Sequence, residues 1–263
     1  MKTRIIAGIC MLPFLVILYF GGKALIVAAF AISVIGVTEF FRGFEAMNVH
    51  PSKEIAYAMS FLLYGGYLIF SWNNTMLMLW VILSVSISLL FGLNITKRGS
   101  FDSIATLAGI MYVVFFPFHI VLLDNTPYRI LVWMIFIAAF GSDIFAYFTG
   151  FVIGKHKMAP HLSPKKTIEG AIGGVIGAGI IGAFFGIFVA KSLMADCIII
   201  GVLGACISEC GDLVASSFKR MMGIKDYGHL IPGHGGVLDR FDSVIFLAPA
   251  VYYYVEVFMQ KGL

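Results

Sequence analysis

The sequence predicts an all-α fold: a polytopic transmembrane helix bundle of about nine spans, with a polar active-site cavity at its cytoplasmic side. Three observations predict it. Hydrophobic residues fill 60% of the 263 positions and charged ones only 12%, outside the range of soluble globular domains. Apolar runs long enough to cross a hydrocarbon core of roughly 30 Å recur along the whole chain. The few Lys and Arg residues gather in alternate connections between those runs, as cytoplasmic loops require.

The runs can be taken in order. Residues 5–21 follow a basic start, Met1-Lys2-Thr3-Arg4, that imitates the n-region of a secretory signal. A second apolar run follows at once and no small-x-small site precedes a soluble domain, so 5–21 is expected to stay as the first span. Only Gly21, Gly22 and Lys23 separate it from 23–41, a connection short enough for a tilted hairpin or a re-entrant pair. The next runs, 55–71, 75–93 and 103–123, are punctuated by turn signals at His50-Pro51, Asn73-Asn74 and Asp124-Asn125-Thr126-Pro127. The last four lie at 128–150, 170–190, 194–217 and 242–259. With the N-terminus inside, only Lys23, Arg129, Lys191 and Lys261 fall outside, and the remaining 14 of the 18 basic residues face the cytoplasm. An odd number of spans then puts the C-terminus outside. Residues 1–140 are expected to form an N-terminal membrane region without recognisable chemistry, and 141–263 a C-terminal transmembrane catalytic region, for the reasons that follow.

Polarity is concentrated in the second half. Ser208–Ser243 holds nine charged residues in 36 positions, twice the chain average, directly against two spans. A cytoplasmic loop explains its Lys and Arg but not its acids. Carboxylates near membrane depth cost several kcal/mol, on the order given by insertion scales, unless they are paired, hydrated or metal-bound. On a helix Asp212, Ser216 and Lys219 share a face, as do Asp239 and Asp242. Oxygen ligands without clustered His or Cys suit magnesium rather than zinc. Between these helix ends, Gly233, Gly235 and Gly236 surround His234; a glycine-rich backbone of this kind admits positive φ and close approach of main-chain N–H groups to an anion. An ordinary Pro-Gly turn would read the same, but Lys219, Arg220, Lys225 and Arg240 flank it.

A second basic segment runs through Lys155, His156 and Lys157 to Ser163-Pro164-Lys165-Lys166-Thr167. It reads either as a positive-inside loop whose Thr167 caps the next helix, or as lysines and hydroxyls for nucleotide phosphates. The glycines that follow, Gly170 to Gly186, are spaced for close helix packing. Asp143 and Glu39 are further acids within apolar runs; Asp143 is expected at the site, and Glu39 as a snorkelling or paired interfacial acid. Cys10, Cys197, Cys206 and Cys210 form no C-x-x-C pair and are expected to be small buried hydrophobes.

Three ordered blocks carry a resemblance. Ser217–Asp242, with its Lys-Arg, Lys225-Asp226, His234-Gly235-Gly236 and Asp239-Arg240 elements, resembles the signature of the phosphatidate cytidylyltransferases, also called CDP-diacylglycerol synthases. Asp143–Gly150 and Ser163–Gly170 are similar to two further blocks of that family in the same order, while the N-terminal half agrees only in hydropathy. The resemblance implies a multi-pass enzyme of the cell membrane that joins CTP to phosphatidic acid, releasing pyrophosphate. It also implies Mg2+, with a second, monovalent cation left open, and a homodimer. The expected partners are the two substrates and the bilayer, with no nucleic acid. It makes Asp212 and Asp239 the metal-ligating acids; Glu209 stands where it expects an uncharged residue.

The expected catalytic set is accordingly Asp143, Asp212, Lys225, Asp226, Asp239 and Asp242, with Asp143, Asp226 and Asp242 behind the two metal ligands or added to them. Ser163, Lys165, Lys166, Thr167, Lys219, Arg220, His234, Gly235, Gly236 and Arg240 are expected to bind substrate. A phosphate monoester is largely a dianion at neutral pH, so it needs charge neutralisation more than a general base. Two rivals use similar parts. A CTP-dependent lipid kinase would release CDP, and a transporter would carry flux across sealed vesicles.

Overall fold

The structure is a computed structural model, and it describes residues 14–70, 72–93, 99–230 and 235–260. Helices form along the apolar runs and stop at the polar breaks. They are α1 (Gly22–Glu45), α2 (Lys53–Phe70), α3 (Asn74–Phe91), α4 (Ser100–Asp124), α5 (Arg129–Ile153), α6 (Ile168–Phe188), α7 (Lys191–Met221) and α8 (Leu238–Met259). All but α2 are long and apolar enough to cross a membrane, seven among the described residues. The expected run at 55–71 is α2, an 18-residue helix that opens on Lys53 and Glu54. The expected first span at 5–21 lies mostly outside the described residues, as do Lys2, Arg4, Lys97, Arg98 and Lys261 of the charge pattern; 14–20 is helical.

The chain divides into two compact units, each made of two separated stretches. Unit one is Met1–Val121 with Met221–Arg240, and unit two is Leu122–Arg220 with Phe241–Leu263.

Unit one has an aromatic core. Phe40, Phe41, Tyr64, Trp80 and Phe118 are all at most 2% exposed. Pairing offsets the cost of burying two of its large polar side chains: the Tyr64 hydroxyl donates to the Val114 carbonyl and lies 3.0 Å from Ser33 Oγ, and Trp80 Nε1–H donates to the Met59 carbonyl. Within α4, Ile110–Phe115 forms a widened π turn beside Gly109, where a Cβ would run into the Phe41 ring.

Unit two replaces bulky packing with glycine. A Cβ on Gly174 would stand 2.8 Å from the Ser142 carbonyl oxygen of α5, and one on Gly170 would stand 2.8 Å from that of Ala146, so α5 and α6 approach backbone to backbone. Between them, β1 (Lys157–Ala159) and β2 (Ser163–Thr167) make a small antiparallel hairpin, with Lys157 opposite Thr167. Thr167 ends it as the N-cap of α6, its Oγ1 accepting from Gly170 N–H. Outward-facing residues are large and apolar, among them Phe151 and Phe188 at 79% and 78% exposure, the surface lipid requires. Cys197 is buried as expected, but Cys206 and Cys210 are exposed on α7, so the buried-hydrophobe reading fails for those two. Their apolar context is that of a span surface, which hydropathy cannot tell from a core.

Candidate functional site

Asp143 lies on the second half of α5, and Tyr147 and Phe151 follow at offsets of four on the same face. β2 presents Lys165 and Lys166, β1 presents Lys157, and α7 presents Glu209. With Thr167, Gly150, Gly170 and the two aromatic rings, these residues line a cavity of about 430 Å³. Along α5 its wall is apolar except for Asp143, and the hairpin and α7 supply its other charged groups.

The Lys166 ammonium bridges two carboxylates at the charged end, 2.5 Å from Glu209 Oε2 and 2.6 Å from Asp212 Oδ2. Burial alone would lower its pKa, but the charges of Asp212 and Glu209 outweigh burial and hold it above the ordinary lysine value. Asp143 is in electrostatic range of Lys166, Asp212, Glu209 and Asp242. Lys219 Nζ approaches Asp242 Oδ2 at 3.7 Å, and Arg220 Nε–H donates to the Leu162 carbonyl, tying α7 to the hairpin. His156 Nδ1 and Glu169 Oε1, 2.6 Å apart, fasten the entry to the hairpin onto the start of α6.

Two polar atoms in this cluster are buried without a hydrogen-bond partner among the described residues, Glu209 Oε1 and Ser208 Oγ. Leaving such atoms unmet is costly, so they point to a missing donor or cation. Also among the described residues, no three His, Cys, Asp or Glu side chains stand ready to chelate an ion by themselves. Magnesium asks for less, since it is held by one or two carboxylates together with substrate phosphates and water. The residues present therefore fit a magnesium that arrives with a phosphate substrate.

The remaining predicted residues that the structure describes, Ser163 excepted, lie in unit one. Asp239, 7% exposed in the first turn of α8, accepts through Oδ2 from Tyr227 N–H at 2.8 Å and Gly236 N–H at 3.0 Å. Gly235 has the positive φ, 82°, that the glycine-rich reading anticipated. Lys225 and Arg240 are exposed and Asp226 is half-buried, while His234, with Ile231, Pro232 and Gly233, lies outside the described residues. Ser163 opens β2, half-buried.

Sequence reasoning misses Phe151 as a cavity wall, names Lys157 only within the second basic segment, and finds in Glu209 only an oddity. The one available signal for Glu209 is that it stands three residues before Asp212, on the same helix face. Glu39 also matters more than its sequence context suggests: it is 5% exposed, which excludes snorkelling, and both its oxygens accept backbone N–H groups.

Taken together, the apolar helices and a half-apolar cavity ending in lysines and carboxylates define a membrane-embedded protein equipped for an anionic group. The chain belongs to the Cytidylyltransferase family, which it matches over residues 2–258. It is 33% identical to the phosphatidate cytidylyltransferase of Staphylococcus haemolyticus over 95% of this chain and 96% of that one. The Bacillus subtilis protein of the same name is 28% identical over 98% of both. The one from Haemophilus influenzae reaches 43%, over 49% of this chain and 48% of its own.

Proposed function

We propose that this chain transfers CMP from CTP to phosphatidic acid, giving CDP-diacylglycerol and pyrophosphate, the activity for which its relatives are named. The observation that carries the reading beyond the family is the charged end of the cavity, where Lys166 stands between Glu209 and Asp212. A phosphate oxygen of the lipid attacks the α-phosphorus of CTP. The new P–O bond forms as the bond from the α-phosphorus to the bridging oxygen of the β-phosphate breaks, and that oxygen leaves with pyrophosphate. The nucleophile is already ionised, so no side chain has to remove a proton. The residues have to let two anions meet and to stabilise the charge that builds on the leaving group. Lys157, Lys165 and Lys166 line the cavity and supply positive charge there. Tyr147 and Phe151 give it an apolar wall suited to an acyl chain.

Magnesium belongs to this reading. The resemblance assigns it to Asp212 and Asp239, and the unpartnered Glu209 Oε1 supports an additional cation near Asp212. Bound with the triphosphate, it would neutralise the phosphate oxygens and polarise the reacting phosphorus. The same reading places the site on the cytoplasmic side, supported by the distribution of Lys and Arg, and makes the enzyme a homodimer.

Membranes carrying the chain are expected to release pyrophosphate only when CTP, phosphatidate and magnesium are all present, and to accumulate CDP-diacylglycerol. Release of CDP instead would mean a kinase. An Asp239→Asn variant should lose at least about a hundredfold in rate, in the range seen when a preorganised charge is removed from a transition state. Wild-type activity in that variant removes Asp239 from the metal assignment.

A further inference from the structure

We infer that Glu39, near the end of the apolar helix α1, is a positioning residue that sets the backbone of Gly236–Leu238 at the start of α8. Its Oε1 accepts from Val237 N–H at 3.0 Å and its Oε2 from Leu238 N–H at 2.8 Å. These N–H groups stand at the start of α8, where a helix has no internal acceptors for them and where a negative charge is favoured. One carboxylate on α1 therefore orients the turn from which Asp239 projects.

The surrounding residues are cut to admit it. A Cβ on Gly236 would collide with both Glu39 oxygens, and one on Gly228 would collide with Oε1. The next stretch of the loop lies on the same helix: Tyr227 packs against Phe40 with ring centroids 5.9 Å apart, and Ile224 would meet a Cβ on Gly43 at 3.1 Å. Asp239 completes the arrangement from the other direction, its Oδ2 holding Tyr227 N–H and Gly236 N–H. Two carboxylates thus fix four backbone N–H groups at the two ends of the loop. Backbone hydrogen bonds of this kind need both oxygens as acceptors; a carboxamide offers one acceptor and turns a donor toward the other N–H.

The inference rests on the reading that Gly235, Gly236 and Asp239 serve a phosphate of the reaction, which CTP or phosphatidate can supply. The test uses the full chain in detergent micelles with both substrates varied separately. Glu39→Gln is expected to raise KM for one of them at least about tenfold, equal to ~1.4 kcal/mol of ground-state binding, at a melting temperature close to wild type. Whichever KM moves identifies the phosphate that the loop receives. Glu45→Gln, on the same helix in an exposed pair with Lys53, should leave both constants unchanged.

Gly236→Ala, with Glu39 intact, should raise the same KM, and combining it with Glu39→Ala should cost less than the two changes added together. If Glu39→Gln yields no folded protein, the Gly236→Ala constants decide alone. Wild-type KM values for both substrates, or a fall in melting temperature with kcat reduced and both KM unchanged, overturn the inference. Failure of the wild-type chain to make CDP-diacylglycerol overturns the activity instead.

Discussion

At the scale of single residues, the cavity's charged end turns on Lys166. Its ammonium satisfies two carboxylates at once, and removing one partner of a largely buried ion pair typically costs about 3 kcal/mol or more because the other charge is left uncompensated. Lys166→Met should lower the melting temperature in detergent by several degrees and cut CDP-diacylglycerol formation at least about a hundredfold. The pH dependence has a definite sign. The raised folded-state pKa of Lys166 means its stabilising contribution is complete below the unfolded value of 10.5 and is lost only as pH climbs through the raised one. An alkaline fall in stability below pH 9 would have to come from another group, and a titration of melting temperature in wild type and Lys166→Met checks this. Lys165 and Lys166 were legible as site candidates because basic residues beside hydroxyls have a recognisable composition, and both line the cavity. Their division of labour was not: one lysine is exposed and the other bridges acids 43 and 46 positions away, a pairing that periodicity cannot foresee.

At the scale of elements, the bond between α5 and α6 is made by absence of side chains. Gly174→Val would drive its Cβ to 2.8 Å from the Ser142 carbonyl, with backbone on one side and no flexible tip to yield. Separation of the two helices should lower the melting temperature and open the cavity wall that carries Asp143 and Tyr147, with activity falling at least about tenfold; Gly179→Ala, whose Cβ would meet only the Val202 side chain, is the milder comparison. Seven of the expected spans were legible because an unbroken apolar run of that length seldom folds as anything but a membrane helix. The small hairpin at 157–167 was not, since its pattern, Ser-Pro-Lys-Lys-Thr, has strand geometry without strand composition. The dual nature of Thr167 was legible as a choice; the structure gives it the cap and also sets it in the cavity wall.

At the scale of the whole molecule, magnesium and membrane sidedness are the properties to measure. Chelation by EDTA should stop pyrophosphate release, and added magnesium should restore it without refolding. A single cysteine at Lys165, in a chain cleared of its four native cysteines, should react with a membrane-impermeant maleimide only from the cytoplasmic face. Both units are assembled from stretches far apart in the chain, which no local pattern announces. Glu39 shows what this entails. Its partners lie 198 and 199 residues downstream, so α1 is made and inserted long before Val237 and Leu238 exist. Until residues 237 and 238 are made, a carboxylate sits in an apolar helix with its native acceptor role unfilled, and contacts of such separation form late. A chain stopped short of residue 237 would leave that acid without the two backbone N–H groups it accepts from in the folded protein.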